Sequence, residues 1–285
     1  LKTVAELAAL QAAAQVEHTP CGADSMVWHL WGRGAPVVLL HGGSGSWTHW
    51  VRNIEALASS GRQVLVPDLP GFGESASPPD GHDADALPPW LEVGLGQLLG
   101  ARPVDLVGFS FGGLVAGLLA ARRQHPVQRL ILVGAPALTN HPIGRIALRA
   151  WQGEPPGPAR DAVHRHNLER LMLARPASVD ALALRIHDAN LQRDRMRQRR
   201  LQATDLLLRT LPGITCPVAG IWGAEDALYR GRLVVVERAL RQVPVFESLT
   251  FILHAGHWVQ YEEALAFDAA LASALQPARL AGRQD

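Results

Sequence analysis

The sequence is poor in cysteine, and its two, Cys21 and Cys216, stand far apart and outside any C-x-x-C pair. That spacing argues against a disulfide framework and against a zinc site, and it fits a reducing compartment. Charge of one sign is also lacking: 27 Lys and Arg face 26 Asp and Glu, a formal net charge of +1. Nothing in that balance asks for nucleic acid or an anionic membrane as a partner. No apolar run reaches the roughly 18 uninterrupted residues of a spanning helix, so no membrane segment is expected. The Ala-rich opening "LKTVAELAALQAAAQ" is interrupted by Glu6 and Gln11 and reads as an amphipathic helix rather than a signal peptide. A cytoplasmic location is the expectation that follows. No internal repeat and no low-complexity tract is present.

What is there is a globular composition, 285 residues with 48% hydrophobic and 19% charged, enough for one α/β domain with an insertion. Two short apolar stretches, 15–21 and 25–31, flank "GAD" and suggest a hairpin. "APVVLLHGGSGSW" runs from a β-branched strand into a glycine loop. "WTHWVRNIEALASSG" has apolar positions at helical spacing and stops at Gly61. "RQVLVPDLPGFGES" is a strand and a Pro/Gly loop, followed by a helix over about 85–100, the strand "PVDLVGFS", a helix to about 125 and the strand "RLILVGAPAL". Near-continuous Val/Leu/Ile strands alternating with helices predict a parallel sheet covered on both faces. From about 139 to 210 the strands vanish, 160–174 and 177–209 read as helices, and "RDRMRQRR" (193–200) reads as a mostly solvated helix face. The alternation then resumes with "CPVAGIWG", a helix over 229–241, a strand over 245–253 and a helix over 258–275. The expected layout is therefore a core of 1–138 and 211–285, with a helical insertion at 139–210.

"G-F-S-F-G" at 108–112 fits G-x-S-x-G between a strand and a helix, where a serine is raised on a tight turn at the carboxyl end of the sheet. Ser110 is the candidate nucleophile, and a serine hydroxyl needs a base. His257, in a Gly-containing loop after the last strand and just before a helix, is preferred over His254. Asp226, after the strand 217–222, is preferred over Glu225 as the carboxylate that orients the imidazole. The three stand in the order Ser110, Asp226, His257, each just after a predicted strand, which is the order expected of such a fold. An oxyanion needs donors: the backbone N–H of Phe111 and one from "HGGSG" at 41–45, Gly43 first and Gly42 as the alternative. A phosphate loop is the competing reading of those glycines, and it lacks the Lys-Ser/Thr that should follow.

Taken as a set, "LLHGGSGSW", "PDLPGFGES", "GFSFGG", "GAED" and "AGHW" resemble the α/β-hydrolase fold superfamily over roughly residues 25 to 275. The resemblance implies an eight-stranded, mostly parallel sheet, with the insertion as a helical cap over the site. It also implies structural duties for Asp68 and Ser75. Within the superfamily, Trp258 directly after the histidine and the segment "LRIHDANLQRDR" are similar to the meta-cleavage-product hydrolases, which cut C–C bonds in vinylogous 1,5-diketones. That likeness implies a substrate-carboxylate arginine at Arg193. The sequence departs from that group in having Phe109, not Asn, before the nucleophile, and in a shorter glycine loop. Gly42, Ser44, Phe109, Trp151, Arg193 and Trp258 are the candidate substrate contacts, with plain packing as the alternative for the tryptophans and a solvated position for Arg193.

The reading that follows is a serine hydrolase acting on a small carboxylic ester through a Ser-His-Asp triad. The first alternative is a C–C bond hydrolase acting on a meta-cleavage-type dienoate. The second is a non-catalytic ligand-binding receptor of the same fold. The expected partner is a small-molecule substrate, with no cofactor and no metal; a homo-oligomer is left open.

Overall fold

A computed structural model describes residues 3–140 and 146–276; residues 141–145, inside the expected insertion, and 277–285 lie outside the described residues. Eight strands form a single sheet: β1 (Gln15–Cys21), β2 (Asp24–Trp31), β3 (Ala35–Leu40), β4 (Arg62–Pro67), β5 (Val104–Phe109), β6 (Val127–Val133), β7 (Val218–Gly223) and β8 (Phe246–Ile252). Their order is β1-β2-β4-β3-β5-β6-β7-β8. The β1–β2 hairpin and the β2–β4 pair are antiparallel. All later pairs are parallel. This is the eight-stranded, mostly parallel sheet that the resemblance implies.

Helices α1 (Val4–Ala12), α2 (Ile54–Ser59), α3 (Pro88–Leu99), α4 (Phe111–Arg122), α5 (Pro158–Asn167), α6 (Ala181–Gln192), α7 (Leu206–Thr210), α8 (Leu233–Leu240), α9 (Val259–Glu262) and α10 (Ala264–Ala274) connect and cover the strands. The central strands are largely apolar because both faces are covered, β3 without a break and β5 with one buried carboxylate, Asp105, that meets Arg62. Alternate residues divide between two cores. Val38, Leu40 and Leu106 pack with α3, α4 and α8, while Val37, Leu39 and Val107 pack with α1, α2 and α10. None of the described helices is long and apolar enough to cross a membrane. Cys21 and Cys216 are both free thiols.

The strand order turns back between β3 and β5, which lie side by side with Leu40 opposite Gly108. A parallel sheet opens a crevice at the carboxyl ends of two such strands. The glycine loop leaves β3 there and Ser110 leaves β5 there, so topology brings the two motifs together.

Two helix expectations are corrected. The stretch 47–61 is not one helix but a 3₁₀ turn (Trp47–Trp50) followed by α2. At the break, buried Asn53 reaches away from the glycine loop, donating to Gln260 O (3.1 Å) and Asp268 Oδ1 (2.8 Å). The stretch 177–209 is likewise divided into α6 and α7, and 193–200 between them is irregular. Its arginines are not one solvated face: Arg195 donates its backbone N–H to Gly71 O (2.9 Å) and its guanidinium to the carbonyls of Phe72, Gly73 and Ser75. A segment whose polar groups are satisfied by a neighbouring loop has no need of helical hydrogen bonds.

Candidate active site

Ser110 takes φ 52° and ψ −122°, a region that non-glycine residues rarely occupy, on the turn from β5 to α4. Such strain persists only where the surroundings enforce it. Here Ser110 N–H is held by Val133 O (2.8 Å), and Ser110 O accepts from Gly113 N (2.7 Å). The flanking glycines are required by contact. A Cβ on Gly108 would run into Gly112 O and Ala116, and one on Gly112 would run into the carbonyls of His41 and Leu40.

His257 leaves β8 just ahead of α9, and Asp226 sits on the loop between β7 and α8. Asp226 Oδ2 lies 2.9 Å from His257 Nδ1, and His257 Nε2 lies 2.8 Å from Ser110 Oγ. Asp226 is fully buried, and its other oxygen accepts Leu228 N–H at 2.9 Å. A carboxylate on Nδ1 fixes the proton there, so Nε2 accepts from the serine hydroxyl. The arrangement can take a proton from Ser110 Oγ as that oxygen adds to a carbonyl. The rivals His254 and Glu225 are both exposed.

Histidines that the sequence did not single out organise the glycine loop. His41 Nε2 accepts Leu69 N–H (2.9 Å), so its Nδ1–H donates to Gly42 O (2.8 Å). That bond orients the 42–43 peptide, whose N–H belongs to Gly43. His49 Nδ1 accepts Gly42 N–H at 3.2 Å. Gly42 N–H is thereby occupied. Among the described residues no acceptor meets the N–H of Gly43 or of Phe111. Both are open donors at the site, and Gly42 N–H is not. Burial pushes His41 down to about 4 and His49 well below the ordinary imidazole range, and both stay uncharged.

Ser110, His257, Gly42, Gly43, Ser44 and Phe109 all line one cavity of about 520 Å³. Its far wall is apolar, with Pro136, Ile146, Leu148, Leu171, Met172 and Leu228. Its polar wall includes Arg199, which the sequence reading did not pick out. Arg199 Nη1 meets both oxygens of Asp194 at 3.0 Å and Met196 O at 2.6 Å, and Nη2 meets Ser44 Oγ at 3.0 Å. Its guanidinium covers Gly43 so closely that a Cβ there would stand 3.2 Å from Nε, and Nε is buried with no partner among the described residues. Asp68 and Ser75 hold the neighbouring loop: Asp68 accepts Trp47 N–H and Glu74 N–H, while Ser75 Oγ accepts Val27 N–H and donates to Asp68 O.

Three expected substrate contacts are displaced. Arg193 is 57% exposed and pairs with Glu74 outside the cavity, because α6 ends just before it and the chain turns away. Trp151 packs beside His164 and Arg160 and is absent from the cavity wall. Trp258 is buried, stacked on Tyr261 at 4.1 Å, with its indole N–H on His49 O, and so takes the packing alternative. Gly42, Ser44 and Phe109 do line the cavity, Phe109 with its ring 5.1 Å from that of His257.

Comparison with known proteins agrees with this architecture. The profile described as alpha/beta hydrolase fold matches residues 35–167. The chain is 32% identical over 268 residues to a 2-hydroxymuconate semialdehyde hydrolase of Pseudomonas putida, covering 84% of this chain and 86% of that protein. It is 28% identical over 270 residues to a 2-hydroxy-6-oxo-2,4-heptadienoate hydrolase of Pseudomonas putida strain F1, covering 84% and 88%. In structure it is similar to a meta-cleavage product hydrolase of Pseudomonas fluorescens IP01, with a TM-score of 0.74 at 22% identity over 90% of this chain and 96% of that one. At that identity the structural likeness speaks for the fold.

Proposed function

The chain belongs to the alpha/beta hydrolase fold family, and within it we propose that this protein hydrolyses a carbon–carbon bond in a 2-hydroxy-6-oxo-2,4-dienoate, with Ser110 as nucleophile. The first expectation, a small carboxylic ester, gives way here to its alternative. The carrying observation is the buried Arg199 guanidinium in the same cavity as Ser110. A small neutral ester has no use for a fixed charge there. A dienoate has a carboxylate to place on it, and the relatives are named for such acids.

In this reading the 2-hydroxyl proton moves to C5, giving the 2-oxo tautomer. Ser110 Oγ adds to C6 and passes its proton to His257 Nε2, while Asp226 holds the imidazole. The oxyanion on C6 sits against the N–H groups of Gly43 and Phe111. The C5–C6 bond breaks, its electron pair shifts through the C3–C4 double bond onto the oxygen at C2, and His257 returns the proton there. Water then attacks the acyl-enzyme, giving one proton to His257 and on to Ser110, and a carboxylic acid leaves. One water is consumed and no redox change occurs.

The test is steady-state hydrolysis of 2-hydroxy-6-oxohepta-2,4-dienoate beside a p-nitrophenyl ester series, for the parent and Ser110→Ala. The expected result is a higher kcat/KM on the dienoate, abolished in Ser110→Ala. Turnover of the esters alone would return the function to an esterase. Ligand binding without Ser110-dependent product would point to a receptor.

A further inference from the structure

Two imidazoles of the cavity wall have no assigned duty toward a ligand. His49, on the 3₁₀ turn, uses Nδ1 to accept Gly42 N–H, so its proton resides on Nε2. No hydrogen bond among the described residues reaches that Nε2, and His49 lines the cavity. His187, on α6, lines the same cavity, and its Nε2 is buried with no partner among the described residues. Its ring stands edge-on to His164 at 5.2 Å, which is itself held by Asp188 at 2.9 Å. Desolvation, with His164 close by, takes His187 down to about 3, and desolvation with His41, His187 and His257 lowers His49. An unpartnered nitrogen in such a place is costly unless a ligand completes it.

Uncharged imidazoles do not compete with Arg199 for a carboxylate. They suit an oxygen that alternates between acceptor and donor. His49 and Arg199 both border the glycine loop, one bonding Gly42 and the other covering Gly43. A carboxylate on Arg199 therefore places the next carbon of the ligand in the cavity that His49 and His187 also line. Phe109, with its ring 5.5 Å from that of His49, offers nothing polar. We propose that His49 and His187 together bind the oxygen on carbon 2 of the substrate, His49 donating from Nε2, and so select 2-hydroxy and 2-oxo acids over plain acids. The proposal rests on the dienoate reading above. In that chemistry the C2 oxygen is hydroxyl, then carbonyl, then the terminus of the electron pair released by C–C cleavage.

The test separates the two ideas. Hexa-2,4-dienoate and 2-hydroxyhexa-2,4-dienoate are titrated by calorimetry into Ser110→Ala, then into Ser110→Ala carrying His187→Leu, His49→Phe or His49→Gln. The expected result is a preference of about tenfold or more for the 2-hydroxy acid, the scale of one well-made hydrogen bond in a closed site. It is lost in His187→Leu and His49→Phe and mostly kept in His49→Gln, which retains a donor. If His49→Phe does not fold, His187→Leu carries the result. Equal affinity for the two acids, or a preference that survives His187→Leu, overturns the inference. Absence of dienoate turnover in the Ser110 protein, with the binding preference intact, overturns the reaction and leaves the contact standing.

Discussion

Arg199 is where the dienoate reading is most exposed to test. Its side chain is 12% accessible and Asp194 beside it 5%, so Arg199→Gln alone would strand a buried carboxylate. Breaking such a pair from one side costs about 3–5 kcal/mol of stability and would confuse any kinetic effect. The informative variant is Arg199→Gln combined with Asp194→Asn, which removes both charges while keeping polar groups for Ser44 Oγ and Met196 O. Losing a desolvated guanidinium–carboxylate contact costs about 2–5 kcal/mol, roughly 30-fold to several thousand-fold in kcat/KM. The dienoate bears that loss and p-nitrophenyl acetate, with no carboxylate, does not share it. The assay is therefore the ratio of the two kcat/KM values, followed by dienoate absorbance and nitrophenolate release, with a melting curve for each variant. A ratio equal to that of the parent to within about threefold would refute the assignment of a carboxylate to Arg199.

Other consequences follow from the same geometry. Gly43→Ala places a methyl 3.2 Å from Arg199 Nε, and the guanidinium is pinned by Asp194, Met196 and Ser44, so the loop must yield. The expected outcome is a kcat lower by about 10–100-fold on either substrate with the fold kept, and a parental kcat would show that Gly43 N–H is not the donor. Glu262, with no side-chain exposure, accepts the N–H groups of Gly256, Ala174 and Arg175 at 2.8–2.9 Å. Glu262→Gln turns one acceptor into a donor and should lower the urea midpoint by a cost of about 1.5–3 kcal/mol, together with kcat, since Gly256 precedes His257. A variant as stable and as active as the parent would refute that tie. His29 is 1% exposed, has no hydrogen-bond partner on either nitrogen among the described residues, lies 4.0 Å from Asp68 Oδ2, and is pushed down to about 4 by burial. A folded value below the ordinary 6.5 means the unfolded chain binds the extra proton, so this stability is present above 6.5 and lost as pH falls toward 4. By pH 5 the parent should have lost roughly 2 kcal/mol through His29, a loss that denaturant titration should find missing in His29→Phe.

The strands were legible because their burial is two-sided. Val37 to Leu40 is a continuous apolar run, Val104 to Phe109 is interrupted only by Asp105, and no other setting in an α/β domain consumes such runs so well. The helices that cover the sheet followed from spacing and from Gly61. What spacing could not show was where a helix is interrupted for a purpose beyond itself. Asn53 ends the 47–53 stretch because it is needed by Gln260 and Asp268, more than 200 residues away. Segment 193–200 leaves the helical path because Gly71, Phe72, Gly73 and Ser75 offer it carbonyls.

The same division runs through the site. Ser110, Asp226 and His257, the proposed triad that the hydrogen-bond geometry brings together, could be picked out because each stands at a strand end, and strand ends are local features. Arg199 could not, since eight residues of "RDRMRQRR" contain five arginines of the same local character. Only tertiary contact distinguishes them: Arg193 meets Glu74 in solvent, Arg195 meets a ring of carbonyls, and Arg199 meets Asp194, Ser44 and the cavity. Sequence put Gly43 ahead of Gly42 but offered no local contact to separate them, because both lack a side chain and both follow the same strand. What supports Gly43 in the proposed reaction is two histidines acting on one glycine. His49 takes the N–H of Gly42 and His41 holds its carbonyl, and the next N–H along meets no acceptor among the described residues. In the proposed reaction, the oxyanion donor would thus be specified less by the glycine that bears it than by the neighbours that occupy its rival.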